Sequence, residues 1–308
     1  MGLVALIPDN NPKVFTFDSD LMFSSVMINE DACIDLLQII FPDKEIDRIE
    51  YLSDFNPRSK DFELEIQKYL QLNPSGKSIR LDVYFKDSDT VYNIEMERTR
   101  KGKARTIRRA RMYSSLIDAN ILKPGGSYKD LIESYVIFIC EFDPFDRKKY
   151  IYRFRSMCED ENDLCEGNGR YNIYLNTNGS KGNIDFDLKE LFRYINGRES
   201  AIGMETKSKL VKTIDKYVQE FNSNDTWRRG AMTVEMLIQE NCDLAREEGE
   251  AKGKAEGLAE GKAQAEAKAK EREAQIVKNM HSMDIPLETI AECTALSTEE
   301  VNSILSTK

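Results

Sequence analysis

The sequence predicts an α/β domain followed by a helical extension, and three segments carry this prediction. Residues 80–85 and 91–96 alternate between apolar and polar side chains on either side of a turn, which is typical of a β-hairpin. Residues 134–142 form a continuous β-branched and aromatic run, which favours a central strand buried on both faces. Between them, residues 98–121 predict a basic helix, broken or kinked near Gly102. Helices and strands therefore alternate, as in α/β domains.

The N-terminal part of this domain is predicted to be helical. From Asp20 to Phe41 apolar residues recur at helical spacings, with an interruption near residue 30. We expect either one kinked helix or two short helices. Two more strands are expected at residues 150–156 and 171–176, and the α/β domain is expected to end near residue 200.

The apolar residues of the hairpin set its register. If the chain turns symmetrically about Ser88 and Asp89, one face holds three apolar pairs: Leu81 with Met96, Val83 with Ile94, and Phe85 with Tyr92. A shift by one residue would oppose apolar to polar positions along the whole ladder. The other face then has three polar pairs: Asp82 with Glu95, Arg80 with Glu97, and Tyr84 with Asn93.

Two carboxylates, those of Asp82 and Glu95, are thus expected side by side. Like charges opposed across a ladder are destabilising and need a compensating cation or a shared proton. A divalent ion would compensate, and hard oxygen ligands suit Mg²⁺ or Mn²⁺. Two alternatives are that both acids lie on a solvated face, or that Arg80 neutralises them together with Glu97.

A basic segment follows these acids directly. It has eight basic residues within fourteen positions of an acidic protein, and no acid occurs from Arg98 to Ile117. A helix face stabilised by its own ion pairs would interleave acids, so we favour contact with the phosphates of a nucleic acid over a solvated helix face. The candidate nucleic-acid-binding residues are Arg98, Arg100, Lys101, Lys103, Arg105, Arg108, Arg109, Arg111 and Tyr113.

Four regions are expected along the chain. They are the α/β domain (residues 1–200), a helical segment (201–246), a Gly/Ala/Glu/Lys-rich helical linker (247–275) and a small two-helix tail (276–308).

The linker contains a glycine repeat. Glycine recurs every four residues at positions 249, 253, 257 and 261. This pattern fits a solvated helical linker or a stripe where a second helix approaches closely, which would give a homo-oligomer such as a homodimer. In the tail, Ser297 and Glu300 fit a capping box. The tail is acidic, which favours contact with protein over contact with DNA.

Composition excludes several classes of protein. The net charge of −10 means that any nucleic-acid contact must come from a local basic cluster. Six cysteines without paired short spacings indicate a reducing compartment, and the N-terminus lacks the features of a signal peptide, so we expect a cytoplasmic protein without a membrane span. His281 is the only histidine, which excludes a Ser-His-Asp triad and a His-rich zinc site.

Four motifs resemble the PD-(D/E)XK nuclease superfamily, specifically the bacterial recombination-promoting nucleases and the nuclease-family transposases. They are SDLMF (19–23), RLDVYFKD (80–87), YNIEME (92–97) and RARMYSSLID (109–118). The resemblance covers roughly residues 15–145 and implies a restriction-endonuclease-like mixed β-sheet flanked by helices. It makes Asp82 the central Mg²⁺ ligand and Glu95 the second carboxylate. Asp20 matches an assisting acid, with an N-terminal helix cap as the alternative.

Two positions depart from the superfamily pattern. Leu81 stands where the name implies Pro, and Glu97 stands where Lys is expected and where the close relatives carry Gln. A carboxylate cannot supply the positive charge that stabilises the developing negative charge, although it can orient water, bind a second metal ion or act as a base. The positive role would then pass to Arg80, Lys101 or Lys103.

The predicted activity is that of a Mg²⁺-dependent or Mn²⁺-dependent endodeoxyribonuclease, linked to recombination, transposition or defence against mobile elements. Its catalytic residues would be Asp82, Glu95, Glu97 and Arg80. Two rivals remain. One is an inactive DNA-binding or assembly protein that keeps the fold, and the other is a helical scaffold whose basic helix binds an acidic partner.

Overall fold

A six-stranded mixed sheet lies at the centre of the α/β region, in the order β1-β2-β3-β4-β6-β5. The computed structural model describes residues 13–51, 83–86, 89–98, 103–122 and 124–306. The strands are β1 (Glu50–Tyr51), β2 (Val83–Lys86), β3 (Thr90–Glu97), β4 (Glu133–Cys140), β5 (Ile151–Phe154) and β6 (Arg170–Asn176). The pairs β3/β4 and β4/β6 are parallel, and the other pairs are antiparallel.

Eight α-helices accompany the strands in the described ranges. They are α1 (Asp20–Met27), α2 (Glu30–Ile40), α3 (Lys103–Ile121), α4 (Phe186–Gly197), α5 (Lys209–Ser223), α6 (Asp225–Ser282), α7 (Leu287–Thr294) and α8 (Thr298–Ser306). The N-terminal segment thus forms two helices rather than one kinked helix. The mixed sheet flanked by helices and followed by a helical extension confirms the predicted fold class.

The hairpin has the predicted register wherever it is described. Val83 pairs with Ile94, Tyr84 with Asn93, and Phe85 with Tyr92. The pairs predicted for Arg80, Leu81 and Asp82 lie outside the described residues. The register is specified because Phe85, Tyr92 and Ile94 all enter the same buried cluster, which a shift by one residue would disrupt.

Strand β4 is buried on both faces, as its continuous apolar run predicts. Tyr135, Ile137 and Ile139 join the large cluster that contains residues of α1, α2, α4 and α5. Val136 and Phe138 join a smaller cluster with the apolar residues of α3. Helix α3 therefore covers one face of the sheet and the four other helices cover the opposite face. Helix α3 lies in the connection between the parallel strands β3 and β4 and contacts β4.

The chain divides into two compact units, residues 1–237 and 238–308. In the first unit, α5 contacts α1, α2 and α4, so part of the predicted 201–246 segment packs with the sheet region.

The second unit has its own small core around Val277, Ile290 and Val301. The predicted capping box is confirmed, because the Ser297 amide donates to Glu300 Oε2 at 2.8 Å and the Glu300 amide donates to Ser297 Oγ at 3.2 Å. The four repeat glycines lie in α6, and nothing within 4 Å would meet an added Cβ. None of the helices in the described ranges combines the length and apolar character needed to cross a membrane.

Candidate active site

Strand β3 presents two buried acids to helix α3. Alternation along the strand sends Tyr92, Ile94 and Met96 into the large cluster on the other face, which leaves Glu95 and Glu97 on the α3 side. Glu95 is 0% exposed and Glu97 is 8% exposed. Two carboxylates two residues apart on one strand, in a dry environment, require compensation by a positive charge.

Arg109 on α3 supplies that compensation. Its Nη2 donates to Glu95 Oε2 at 2.6 Å, and its Nη1 donates to Glu97 Oε2 at 2.6 Å. Both bonds are short, as expected for charge-assisted pairs, and one guanidinium therefore joins the two acids. Arg109 is 27% exposed at its side chain, so the guanidinium lies between the buried acids and solvent.

Aromatic residues hold the Arg109 guanidinium in place. The Tyr113 hydroxyl accepts from Arg109 Nε at 3.1 Å and from Nη2 at 2.8 Å, and the guanidinium lies 5.3 Å from the Tyr113 ring centre and 5.4 Å from that of Phe138. Burial lowers the pKa of Arg109, but Glu95, Tyr113 and Glu97 outweigh burial and raise that pKa above its ordinary value. Arg109 is therefore positively charged throughout the physiological pH range.

Two polar neighbours also contact the acids. Asn93 Nδ2 donates to Glu95 Oε1 at 3.0 Å, and Thr106 Oγ1 donates to Glu97 Oε2 at 3.2 Å. Cys140, which pairs with Glu97 in the sheet, has its thiol pKa raised by burial and then by the charge of Glu97. That thiol is therefore protonated and is not a nucleophile.

A second group of charges lies beyond the ends of β3 and β4. The buried Asp18 carboxylate lies 3.8 Å from Arg98 Nε, and Glu141 Oε2 accepts from Arg198 Nη2 at 2.9 Å. The Glu141 amide donates to the Glu97 carbonyl at 3.1 Å, which ties this group to the strand that carries the acids. Burial, followed by the nearby Asp18, raises the pKa of Glu141.

The candidate nucleic-acid-binding residues occupy different positions in the structure. Arg105, Arg108 and Arg111 are exposed and follow each other at intervals of three residues along α3. Lys103 pairs with Asp146, while Arg109 and the buried Tyr113 face the acids of β3. Arg98 is half-exposed beside Asp18, and Arg100 and Lys101 lie outside the described residues.

The remaining predicted site residues are only partly described. Asp20 is exposed and is the first residue of α1, and Ser19 occupies the cap position. Asp82 and Arg80 lie outside the described residues. Among the predicted site residues that are described, the structure brings together Glu95, Glu97, Arg109 and Tyr113.

Sequence analysis missed the pairing of Arg109 with both acids, although a signal for it exists. The buried residues of α3 recur at spacings of three and four, and they are Thr106, Ala110, Tyr113, Ser114 and Ile117. Position 109 lies on the same side of the helix, which makes Arg109 the arginine turned toward the sheet. Asp18 and Glu141 were also missed, because no local pattern indicates that residues so far apart in sequence meet.

The donor chemistry of Glu95 and Glu97 fits a divalent cation. Two hard carboxylates lie side by side and already bind a cationic group, the guanidinium of Arg109. Among the described residues no group of three His, Cys, Asp or Glu is arranged to hold a metal ion.

A mixed α/β sheet with buried strand acids beside a basic helix defines a fold of the PD-(D/E)XK nuclease type. The family model of the PD-(D/E)XK nuclease family transposases matches residues 17–167. The match includes β3, α3 and β4, and therefore the whole cluster of Glu95, Glu97 and Arg109. No curated protein and no solved structure matches the chain significantly.

Proposed function

We propose that this protein is a metal-dependent endonuclease that hydrolyses phosphodiester bonds in DNA. The observation that carries the proposal is the placement of two buried acids, Glu95 and Glu97, on the strand face covered by a helix with three exposed arginines. Acids that can hold a cation and a basic surface that can hold phosphates are the two parts that such a reaction needs.

The metal ligands in this proposal are Asp82 and Glu95, assisted by Asp20. Mg²⁺ or Mn²⁺ bound there would activate water and polarise the scissile phosphate. The register predicted by the apolar residues sets Asp82 opposite Glu95, and the described part of the hairpin has that register. Glu97, with Arg80 expected opposite it, would orient the attacking water.

DNA would lie along the exposed side of α3. Arg105, Arg108 and Arg111 contact successive phosphates in this proposal, with support from Arg98, Arg100, Lys101 and Lys103. We further propose a homo-oligomer formed through the C-terminal helices, a cytoplasmic location, and a role in recombination, transposition or defence against mobile elements. Two copies would suit cleavage of both DNA strands.

A DNA-binding protein without cleavage activity is the second candidate. Arg109 favours it, because one guanidinium already neutralises part of the charge of Glu95 and Glu97 and so stabilises the cluster in the absence of a metal ion. Glu97 also stands where the superfamily pattern expects Lys, so this position lacks a positive charge. This candidate predicts salt-sensitive DNA binding that does not depend on a divalent ion.

Plasmid cleavage separates the two candidates. The wild-type protein and the variants Asp82→Asn and Glu95→Gln are each incubated with supercoiled DNA, with and without Mg²⁺ or Mn²⁺. The control variant is Asp160→Asn, which alters an exposed acid between β5 and β6. We expect metal-dependent cleavage by the wild type and the control only. Cleavage that survives both Asp82→Asn and Glu95→Gln would refute the assigned ligands, and DNA binding without any cleavage would favour the second candidate.

A further inference from the structure

Both carboxylate oxygens of Glu95 are engaged by polar groups of the protein itself. Oε1 accepts from Asn93 at 3.0 Å, and Oε2 accepts from Arg109 at 2.6 Å. Glu95 is also fully buried. A divalent ion that binds Glu95 directly must therefore approach an oxygen that already accepts a hydrogen bond, and it competes with the group that donates this bond.

Of the two groups, Arg109 is the one that a cation would displace. A cation and a guanidinium compete electrostatically for the same negative charge, whereas the neutral Asn93 amide does not. Arg109 also reaches solvent, since 27% of its side chain is exposed, whereas Asn93 is 0% exposed. Movement of Arg109 away from the acids would thus open a path from solvent to Glu95.

We infer that Arg109 is an internal counter-ion that competes with the divalent ion for Glu95 and Glu97, and so sets the metal affinity of the site. The inference rests on the proposed function, because it concerns the same acids. Without metal, the charges of Glu95, Glu97 and Arg109 sum to one net negative charge. Removal of Arg109 makes these described groups more negative by one charge, so that they attract a divalent ion more strongly.

The surroundings of Arg109 provide a position for the displaced guanidinium. The Tyr113 hydroxyl accepts from Nε as well as from Nη2, and the rings of Tyr113 and Phe138 both lie near the guanidinium. The bonds to the Tyr113 hydroxyl orient the guanidinium toward the acids, so their loss in Tyr113→Phe should make its displacement easier. The ring contacts do not involve the acids and would keep the displaced guanidinium near the site. Arg109 would then remain near the metal as a positive group, which is the kind of charge that residue 97 lacks.

Mn²⁺ binding without DNA tests the inference. The free Mn²⁺ remaining after titration is measured by electron paramagnetic resonance for the wild type, Arg109→Met, Tyr113→Phe and the control Arg155→Met, which alters an exposed arginine outside α3. We expect Arg109→Met to lower the Kd for Mn²⁺ about tenfold or more, Tyr113→Phe to lower it less, and the control to leave it unchanged. An unchanged or higher Kd in a folded Arg109→Met protein would overturn the inference.

The melting temperature with and without Mn²⁺ provides a second measurement for a variant that is less stable than the wild type. Mn²⁺ should raise the melting temperature of Arg109→Met more than that of the wild type, because tighter binding to the folded state stabilises it more. If Arg109→Met does not fold, Tyr113→Phe decides: a Kd no lower than that of the wild type refutes the inference. If the wild type binds Mn²⁺ and neither variant binds it more tightly, the role of Arg109 is refuted but the metal-dependent function is not. Absence of binding by every protein at millimolar Mn²⁺ refutes the metal-dependent function as well.

Discussion

Arg109 and Glu95 form a 2.6 Å ion pair in which the carboxylate is completely buried. The pair joins the first helix after the hairpin to the second strand of the hairpin, and the same guanidinium reaches Glu97. Breaking a buried pair by removal of one partner leaves an uncompensated charge, which costs more than removal of both partners.

The first prediction concerns the stability of the metal-free protein. Arg109→Met should lower the free energy of unfolding by about 3–5 kcal/mol, because it removes the guanidinium that pairs with the buried Glu95 carboxylate. The double variant Arg109→Met/Glu95→Gln should be more stable than Arg109→Met, since no buried charge remains at residue 95. Denaturant unfolding of the wild type, both single variants and the double variant measures this coupling. A double variant less stable than Arg109→Met would contradict the prediction.

The second prediction concerns Glu97. Glu97→Gln should leave metal-dependent cleavage unchanged or increase it, because Gln is the residue that close relatives carry at this position in the resemblance. The variant also removes one of the two charges that hold Arg109, while Glu95 keeps the other. Initial rates of plasmid cleavage measure the effect. Complete loss of cleavage in a folded variant would instead make Glu97 a catalytic acid or base.

The third prediction concerns the exposed arginines of α3. Replacement of Arg105, Arg108 and Arg111 by Gln should weaken DNA binding and reduce the slope of log K against log salt, by about 0.9 for each lost contact to duplex DNA. A control that replaces Arg155, Lys189 and Lys212, three exposed basic residues elsewhere in the first unit, removes the same charge. Fluorescence anisotropy at several salt concentrations compares the two variants. Equal losses in both would indicate an effect of net charge rather than a binding surface.

The fourth prediction concerns the pH dependence of stability. Burial first, and then Asp18, raises the pKa of Glu141 in the folded protein, although Arg198 opposes this shift. The folded state therefore holds this proton more tightly than the unfolded state. The resulting stabilisation is present below the unfolded pKa and is lost as the pH rises through the folded pKa.

Glu141→Gln should therefore flatten this part of the stability profile. Relative to the variant, the wild type should lose stability as the pH rises from about 4, near the ordinary carboxyl pKa, toward neutrality. Denaturant unfolding at several pH values measures the difference, with Glu159→Gln, an exposed acid, as the control. If the wild type instead gains stability relative to Glu141→Gln as the pH rises over this range, the pKa of Glu141 is not raised in the folded protein and the prediction is contradicted.

The fifth prediction concerns the glycine repeat in α6. Replacement of Gly249, Gly253, Gly257 and Gly261 by Ala should stabilise α6 by up to about 1 kcal/mol for each residue and so increase its helix content. The structure leaves space for each added Cβ. If the stripe also mediates self-association, the added methyl groups should separate the copies. Circular dichroism and analytical ultracentrifugation measure the two effects. An unchanged oligomer would show that the proposed association does not use this stripe.

Local patterns predicted the parts of the fold that depend on local chemistry. The register of Val83, Phe85, Tyr92 and Ile94 follows from the alternation of apolar side chains, because burial of one face permits a single alignment. The same reasoning identified β4, since a strand buried on both faces needs an apolar residue at every position. For residues 20–40 the sequence predicted either one kinked helix or two short helices, because an interruption in periodicity does not distinguish a kink from a break.

The charge arrangement of the candidate site was only partly predictable. Glu95 and Glu97 were identified from the register, but Arg109 was placed with the phosphate-binding residues because a run of basic residues suggests a uniform surface. Helical periodicity separates Arg109 from Arg105, Arg108 and Arg111 only when the buried side of α3 is known. Asp18 and Glu141 meet through tertiary packing, which no short sequence pattern encodes.

Anomalous X-ray scattering from crystals grown with Mn²⁺ tests the central claim most directly. The account predicts an anomalous peak within bonding distance of the Glu95 carboxylate, with Asp82 as a second ligand and with the Arg109 guanidinium moved away from Glu95. A peak elsewhere, or Mn²⁺-saturated crystals in which Arg109 still donates to both acids and no peak lies at Glu95, would contradict it.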